Sequence, residues 1–225
     1  MKATINLFNS DCLPAMRKMA DNQYGLAIVD VPYGIGMSKG TFTYSKKKNI
    51  SSKRNYIAKQ WDKKTPDKEY FDELRRISKN QIICGGNYFT DKLPVSRGWI
   101  YWDKKITNAN NTNFSDGELM WTSFDCILRK FTYDWIGFGY LNSTERGSRM
   151  HPTQKPIALY KWLLKNYAKP GDKILDTHGG SMSIAIACWD YGYDLDAFEI
   201  DRDYFEAGKK RLDVHRAQLQ INYKQ

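Results

Sequence analysis

Four short apolar runs each stop on an acid or a glycine: LAIVD at 26–30, QIICGG at 81–86, KILDTHGG at 173–180 and LDAFEID at 195–201. A strand buried on both faces reads as an unbroken apolar run, whereas a half-exposed one alternates. Helical patterns separate the runs. In 156–167, Ile157, Tyr160, Leu163, Leu164 and Tyr167 recur at helical spacing. Further helices are expected over Asp11–Met19 (capped by Ser10 or Asp11), over Lys68–Lys79, along SIAIACWDYG and along RDYFEAGKKRLDVHRAQLQ. Short strands alternating with helices predict an α/β fold, a doubly wound and mostly parallel sheet covered on both faces. ATINLFN, RGWIYWDKK and SFDCILRK complete an expected set of seven strands. With 225 residues the chain suits a single domain over 1–225.

In such sheets ligands bind at the carboxyl ends of the strands. Three strand ends here carry a carboxylate: Asp30, Asp176 and Glu199. A lone acid there is commonly a helix cap, but three together, one leading into the glycine turn 179–180, point to a ligand site. Glycine lets backbone approach a ligand closely, and the following helix N-terminus offers free N–H groups. The turn is not a G-x-G-x-x-G fingerprint and has no phosphate-loop lysine. Glu199, one strand further on, suits the two hydroxyls of a ribose. Together these features fit a nucleoside ligand without phosphates.

The net charge of +10 points to a polyanionic partner. It is concentrated: between residues 36 and 64 stand Lys39, Lys46, Lys47, Lys48, Lys53, Arg54, Lys59, Lys63 and Lys64 against one acid, Asp62. Tyr44, Tyr56 and Trp61 are interleaved. Cations for phosphates and rings for bases are the mixture expected of a nucleic-acid surface. Cys12, Cys84, Cys126 and Cys188 are far apart and sit in or beside apolar runs, so free thiols in a reducing compartment are expected, with neither disulfide frame nor metal site. No signal segment or membrane-length apolar run is seen, which predicts a soluble, cytoplasmic protein.

The motif set resembles the amino-directed DNA methyltransferases. Asp30-Val31-Pro32-Tyr33 is similar to their Asp-Pro-Pro-Tyr box, and DTHGGSMS at 176–183 to their glycine-rich cofactor box. HPTQKP at 151–156 resembles the segment that supports the cofactor, FEIDRDYFEAGKKRL the ribose strand and its helix, and NSDCL the N-terminal element. The catalytic box precedes the cofactor box, which is the order of the circularly permuted beta class with its Rossmann-like sheet.

The resemblance implies S-adenosylmethionine as cofactor and DNA as substrate. Asp11 would bond the cofactor adenine and Glu199 its ribose. Asp176, Gly179, Gly180 and Ser181 would face the methionine part, with Thr153 and Lys155 near its carboxylate and Pro156 in the same cofactor-binding segment. Asp30 and the carbonyl of Val31 would accept the two N–H bonds of the target amine, Pro32 would fix the turn, and Tyr33 would stack on a base flipped from the duplex. Aspartate in the box implies adenine N6; the cytosine-N4 enzymes of the family usually carry serine, and N4 transfer is the alternative. Thr177, His178 and Met182 depart from the cofactor box, and Val31 from the catalytic one. These changes motivate a second alternative, a non-catalytic nucleic-acid-binding subunit. Target recognition is expected from loops at 36–64, 104–117 and 131–149, with Arg146 and Arg149 on phosphates. Such small loops predict a short or relaxed recognition site, or help from a second copy in a homodimer.

Overall fold

The computed structural model describes residues 3–36, 59, 61–105, 115–135, 150–151 and 153–222. Its described strands form one sheet in the order β1-β8-β7-β2-β3-β5-β4-β6. They are β1 Ile5–Phe8, β2 Tyr24–Val29, β3 Ser78–Cys84, β4 Trp99–Asp103, β5 Gly117–Thr122, β6 Arg129–Thr132, β7 Ile174–Asp176 and β8 Leu195–Phe198. Five α-helices among the described residues flank them: α1 Cys12–Met16, α2 Lys68–Ile77, α3 Ile157–Tyr167, α4 Ser183–Tyr191 and α5 Arg202–Asn222. The sheet is mixed: β5 runs antiparallel to both neighbours, β3 and β4, and every other pairing is parallel.

The strand count corrects the expected seven to eight. SFDCILRK contributes only its last two residues, to β6, while β5 occupies 117–122, between the expected recognition loop 104–117 and that expected strand. Gly117-Glu118, opening an otherwise apolar run, gives β5 the polarity of a loop. Its inner residues Met120, Trp121 and Thr122 are nevertheless buried, sandwiched between β3 and β4. Helix α1 is also shorter than expected, five residues rather than nine.

β2 shows why the apolar runs carry no alternation. Successive strand residues point to opposite faces. Leu26 and Ile28 pack in the layer of α3 and α4, with Leu159, Leu163 and Ile184. Ala27 and Val29 enter the other layer, with Tyr70, Phe71, Leu74 and Ile77 of α2. Both faces are dry, so every position is apolar until the strand emerges at Asp30. Cys12, Cys84, Cys126 and Cys188 are free thiols. No helix among the described residues is long and apolar enough to cross a membrane.

Candidate active site

Asp30 follows the last residue of β2 at the carboxyl edge of the sheet. Its Oδ1 lies 2.5 Å from Lys155 Nζ and accepts a 2.9 Å hydrogen bond from the Tyr33 hydroxyl. Lys155 Nζ also donates to the Tyr33 oxygen at 3.1 Å and lies 3.2 Å from Glu118 Oε2. Glu118 is held from its other side by Lys104, Nζ to Oε1 2.6 Å. Two carboxylates and two ammonium groups thus form a chain, Asp30–Lys155–Glu118–Lys104, with Tyr33 laid against its middle.

Local structure explains each position. Lys155 precedes Pro156, whose extended backbone forms the N-cap of α3. The Lys155 carbonyl accepts from Ser183 Oγ at the start of α4, which ties this segment to the glycine turn. Glu118 shares a strand face with Met120, which packs in the α3–α4 layer, so its side chain points to the rim where Lys155 enters. Tyr33 stacks on Tyr88 with centroids 4.9 Å apart, and Gly85 makes room for it: a β-carbon there would meet the ring at 2.3 Å.

Charge follows burial and neighbours. Burial raises the Asp30 carboxyl, with Lys155 opposing. Burial also works against an ionised Glu118, but Lys155 and Lys104 together bring it down to about 2. Glu118 has two cations and Asp30 one, which accounts for the difference. Lys155 is desolvated too, yet Asp30 and Glu118 hold it above its ordinary value.

The ends of β7 and β8 are built differently. Asp176 is 1% exposed; its Oδ1 accepts the His178 N–H at 2.9 Å, and its Oδ2 is buried without a hydrogen-bond partner. Burial raises this carboxyl to about 8. Glu199 accepts backbone N–H bonds from Gly180 and Asp201, each 2.8 Å. Between these acids the turn passes through left-handed conformations at Gly180 (φ 50°) and Met182 (φ 56°). A β-carbon on Gly179 would strike Met182 Sδ at 2.7 Å. Both carboxylate-bearing regions open into one cavity of about 280 Å³, whose walls include Asp30, Tyr33, Thr153, Gly179, Ser181 and Glu199. Asp176, expected to face the cofactor, lies behind this wall and does not line it, while the bare backbone of the turn suits a ligand that packs tightly against it.

Most of the expected site residues converge here. Val31 and Pro32 line the cavity beside Asp30. Val31 is 2% exposed and packs in the α2 layer, so the residue that departs from the box fills the core. Met182 likewise points inward, fully buried. His178 presents its ring to Tyr70 (centroids 5.6 Å), and its Nδ1 lies 2.9 Å from Thr177 Oγ1; burial lowers it to about 4, so the ring is neutral. Asp11 instead caps α1, accepting the Leu13 N–H at 3.0 Å, and is not part of the cavity wall. Lys155, expected beside the cofactor carboxylate, sits on Asp30.

Glu118, Lys104 and Tyr88 do not stand out in the sequence; their only signal is an acid opening an apolar run that otherwise looks like the end of a loop. Trp61 and His151 also line the cavity, their rings 5.1 Å apart. Lys59 is spent on Asp201 and Asp203, at 2.5 and 2.7 Å. Lys39, Lys46, Lys47, Lys48, Lys53, Arg54, Arg146 and Arg149 lie outside the described residues, as does most of each expected recognition loop.

Comparison with known proteins meets this geometry. Two Type II methyltransferases are each 23% identical: M.HpaI of Haemophilus parainfluenzae, over 92% of this chain and 74% of its own length, and M.HinfI of Haemophilus influenzae, over 94% and 70%. Among solved structures, M1.HpyAVI in complex with SAM shares the fold at TM-score 0.55 and 17% identity, covering 92% of this chain and 100% of its own. The cytosine-N4-specific PvuII DNA methyltransferase does so at TM-score 0.57 and 13% identity, covering 93% and 86%. Residues 41–210 match the N6_N4_Mtase family, described as DNA methylase, and this chain belongs to that family.

Proposed function

We propose that the protein transfers a methyl group from S-adenosylmethionine to N6 of adenine in DNA, as a single-domain enzyme of the permuted beta class. The observation that carries this reading is the shared cavity, with Asp30 and Tyr33 at one end and the glycine turn and Glu199 at the other. The order of the two boxes along the chain supports the beta class. Similarity to methyltransferases, one of them solved in complex with SAM, supports the cofactor.

Bound S-adenosylmethionine supplies an electrophilic methyl group on a positively charged sulfur. Everything else falls to the chain. Glu199 offers its carboxylate to the ribose, and Asp176, behind the cavity wall, holds through the His178 N–H the turn that meets the cofactor's methionine part. Asp30 accepts one N–H of the exocyclic amine and the Val31 carbonyl the other. The amine lone pair, otherwise delocalised into the ring, then becomes available, and the positive charge that grows on nitrogen meets acceptors already in place. Tyr33 holds the extruded base against the cavity wall, since a paired base is out of reach. The basic segment 36–64, with Arg146 and Arg149, carries the phosphate contacts.

Aspartate in the box favours adenine; the fold shared with the cytosine-N4-specific enzyme keeps cytosine N4 as a second reading. Incubating the protein with unmethylated DNA and labelled cofactor, then digesting to nucleosides, decides between them. N6-methyladenine is expected; label in N4-methylcytosine would replace the reading, and no label would end it.

A further inference from the structure

Lys155 has two carboxylate partners, and both favour its charged form. Its Nζ lies 2.5 Å from Asp30 and 3.2 Å from Glu118, with 3% of its side chain exposed. Lys155 and Tyr33 both contact Oδ1 of Asp30, so an amine that takes that oxygen competes with the ammonium. A buried cation released from its only partner would be strongly unfavourable. Glu118 removes that obstacle. It faces the same Nζ, and Lys104 at 2.6 Å fixes its other oxygen so that it stays in place.

We propose that Glu118 is a positioning residue that takes over Lys155 when the target amine occupies Asp30, so that a substrate exchange at Asp30 leaves no buried charge unpaired. The inference rests on the assignment of Asp30 as the amine acceptor. Glu118 itself touches no reacting atom. Its effect travels through Lys155, which lies against Asp30 in the ligand-free site and shifts toward Glu118 when the amine arrives. Tyr33, between the two carboxylates, keeps a partner in both arrangements, since its hydroxyl lies 2.9 Å from Asp30 and 3.3 Å from Glu118.

Other groups face this cluster. Tyr33 follows β2, Cys84 ends β3, Lys104 follows β4, Tyr160 lies on α3 and Asp176 ends β7. The negative charge of Glu118 raises the Asp30 carboxyl and Lys155 lowers it. Glu118→Gln therefore moves the acidic limb of the kcat profile to lower pH, because Asp30 loses a repelling neighbour and keeps the lysine to itself. Lys155→Met moves the limb to higher pH. These shifts report the electrostatic contact alone; the hand-over itself is read by the double variant and by the lysine resonance.

The test measures kcat against pH at saturating cofactor, with cofactor affinity by calorimetry. Glu118→Gln should lower kcat about tenfold or more with cofactor affinity within about twofold of wild type. Glu118→Asp should recover part of the loss, and Glu118→Gln with Lys155→Met should be no worse than Lys155→Met alone. A Glu118→Gln enzyme with wild-type kcat and an unmoved limb overturns the proposal, as does a double variant whose losses multiply. The wild-type protein gives a check that needs no variant. With 15N-lysine labelling, the Lys155 ammonium resonance should shift when DNA bearing the target base binds, and an unmoved resonance also overturns it. Asp30→Ala separates the two levels: full activity in that variant removes the assignment beneath, whereas an inactive Asp30→Ala beside a normal Glu118→Gln removes only the role of Glu118.

Discussion

The two carboxylate-bearing ends of the sheet solve opposite problems. At β2, Asp30 already has a cation at 2.5 Å and a phenol at 2.9 Å. At β7, Asp176 has one backbone N–H and a buried oxygen with nothing to accept. A carboxylate supplied with its own lysine is prepared for a neutral group that becomes positive only during reaction. Asp176, raised to about 8 by burial, is a neutral acid below that pH and sits behind the cavity wall. On the proposed function, the charged end meets the target amine and the neutral end backs the turn that holds the cofactor.

The largest expected effect breaks the β2 end alone. Asp30→Ala should reduce methyl transfer by about 10²-fold or more while cofactor affinity, read by calorimetry, stays nearly unchanged. Equal loss of both would merge the two ends into one. Asp176→Asn should do the reverse, weakening cofactor binding roughly 10- to 100-fold. It also has a signature in stability. The folded carboxyl is raised to about 8 against roughly 4 in an unfolded chain, so the folded state binds more protons between those values. Ligand-free protein should lose stability as pH rises through that window, and the Asn variant should not; melting temperature against pH checks it.

Replacing Lys46, Lys47 and Lys48 by alanine should weaken DNA binding about tenfold and flatten its salt dependence, with cofactor affinity intact. The log–log slope should fall by roughly 0.9 for each phosphate no longer neutralised. Fluorescence anisotropy at several salt concentrations measures both. The smallest change is expected from His178→Phe, activity within about threefold of wild type, because the neutral ring serves packing. Its stability signature is opposite in sign to that of Asp176. The imidazole falls from 6.5 to about 4 on burial, so wild-type protein loses stability as pH drops through that range, and the Phe variant should be less acid-sensitive.

The acids at 30 and 176 are legible in the sequence because each follows a run too apolar to be anything but a buried strand; Glu199 follows LDAF, which Asp196 interrupts, and is legible from its place one strand beyond the glycine turn. β5 is not, because Gly117 and Glu118 look polar along the chain and become strand only once β3 and β4 flank them. Lys155 is legible as a site residue but not in its role. Position along the chain puts it beside the cofactor segment, and only the lateral order of strands brings β5 and β2 to the same lysine. Val31 and Met182 look like defects in two boxes; burial shows both filling the core, with Met182 lodged against Gly179 and Gly208.

The pairing of β2 with β7 joins Leu26 to Ile174 and Ala27 to Leu175. This seam separates the two ends of the cavity, and it forms only after most of the polypeptide has left the ribosome. A nascent chain stopped at residue 150 would expose Asp30 with neither Lys155 nor the glycine turn beside it. Contacts so distant along the chain close slowly during folding. Competence for both ligands should therefore be acquired in one late step, and a prematurely terminated product should bind neither.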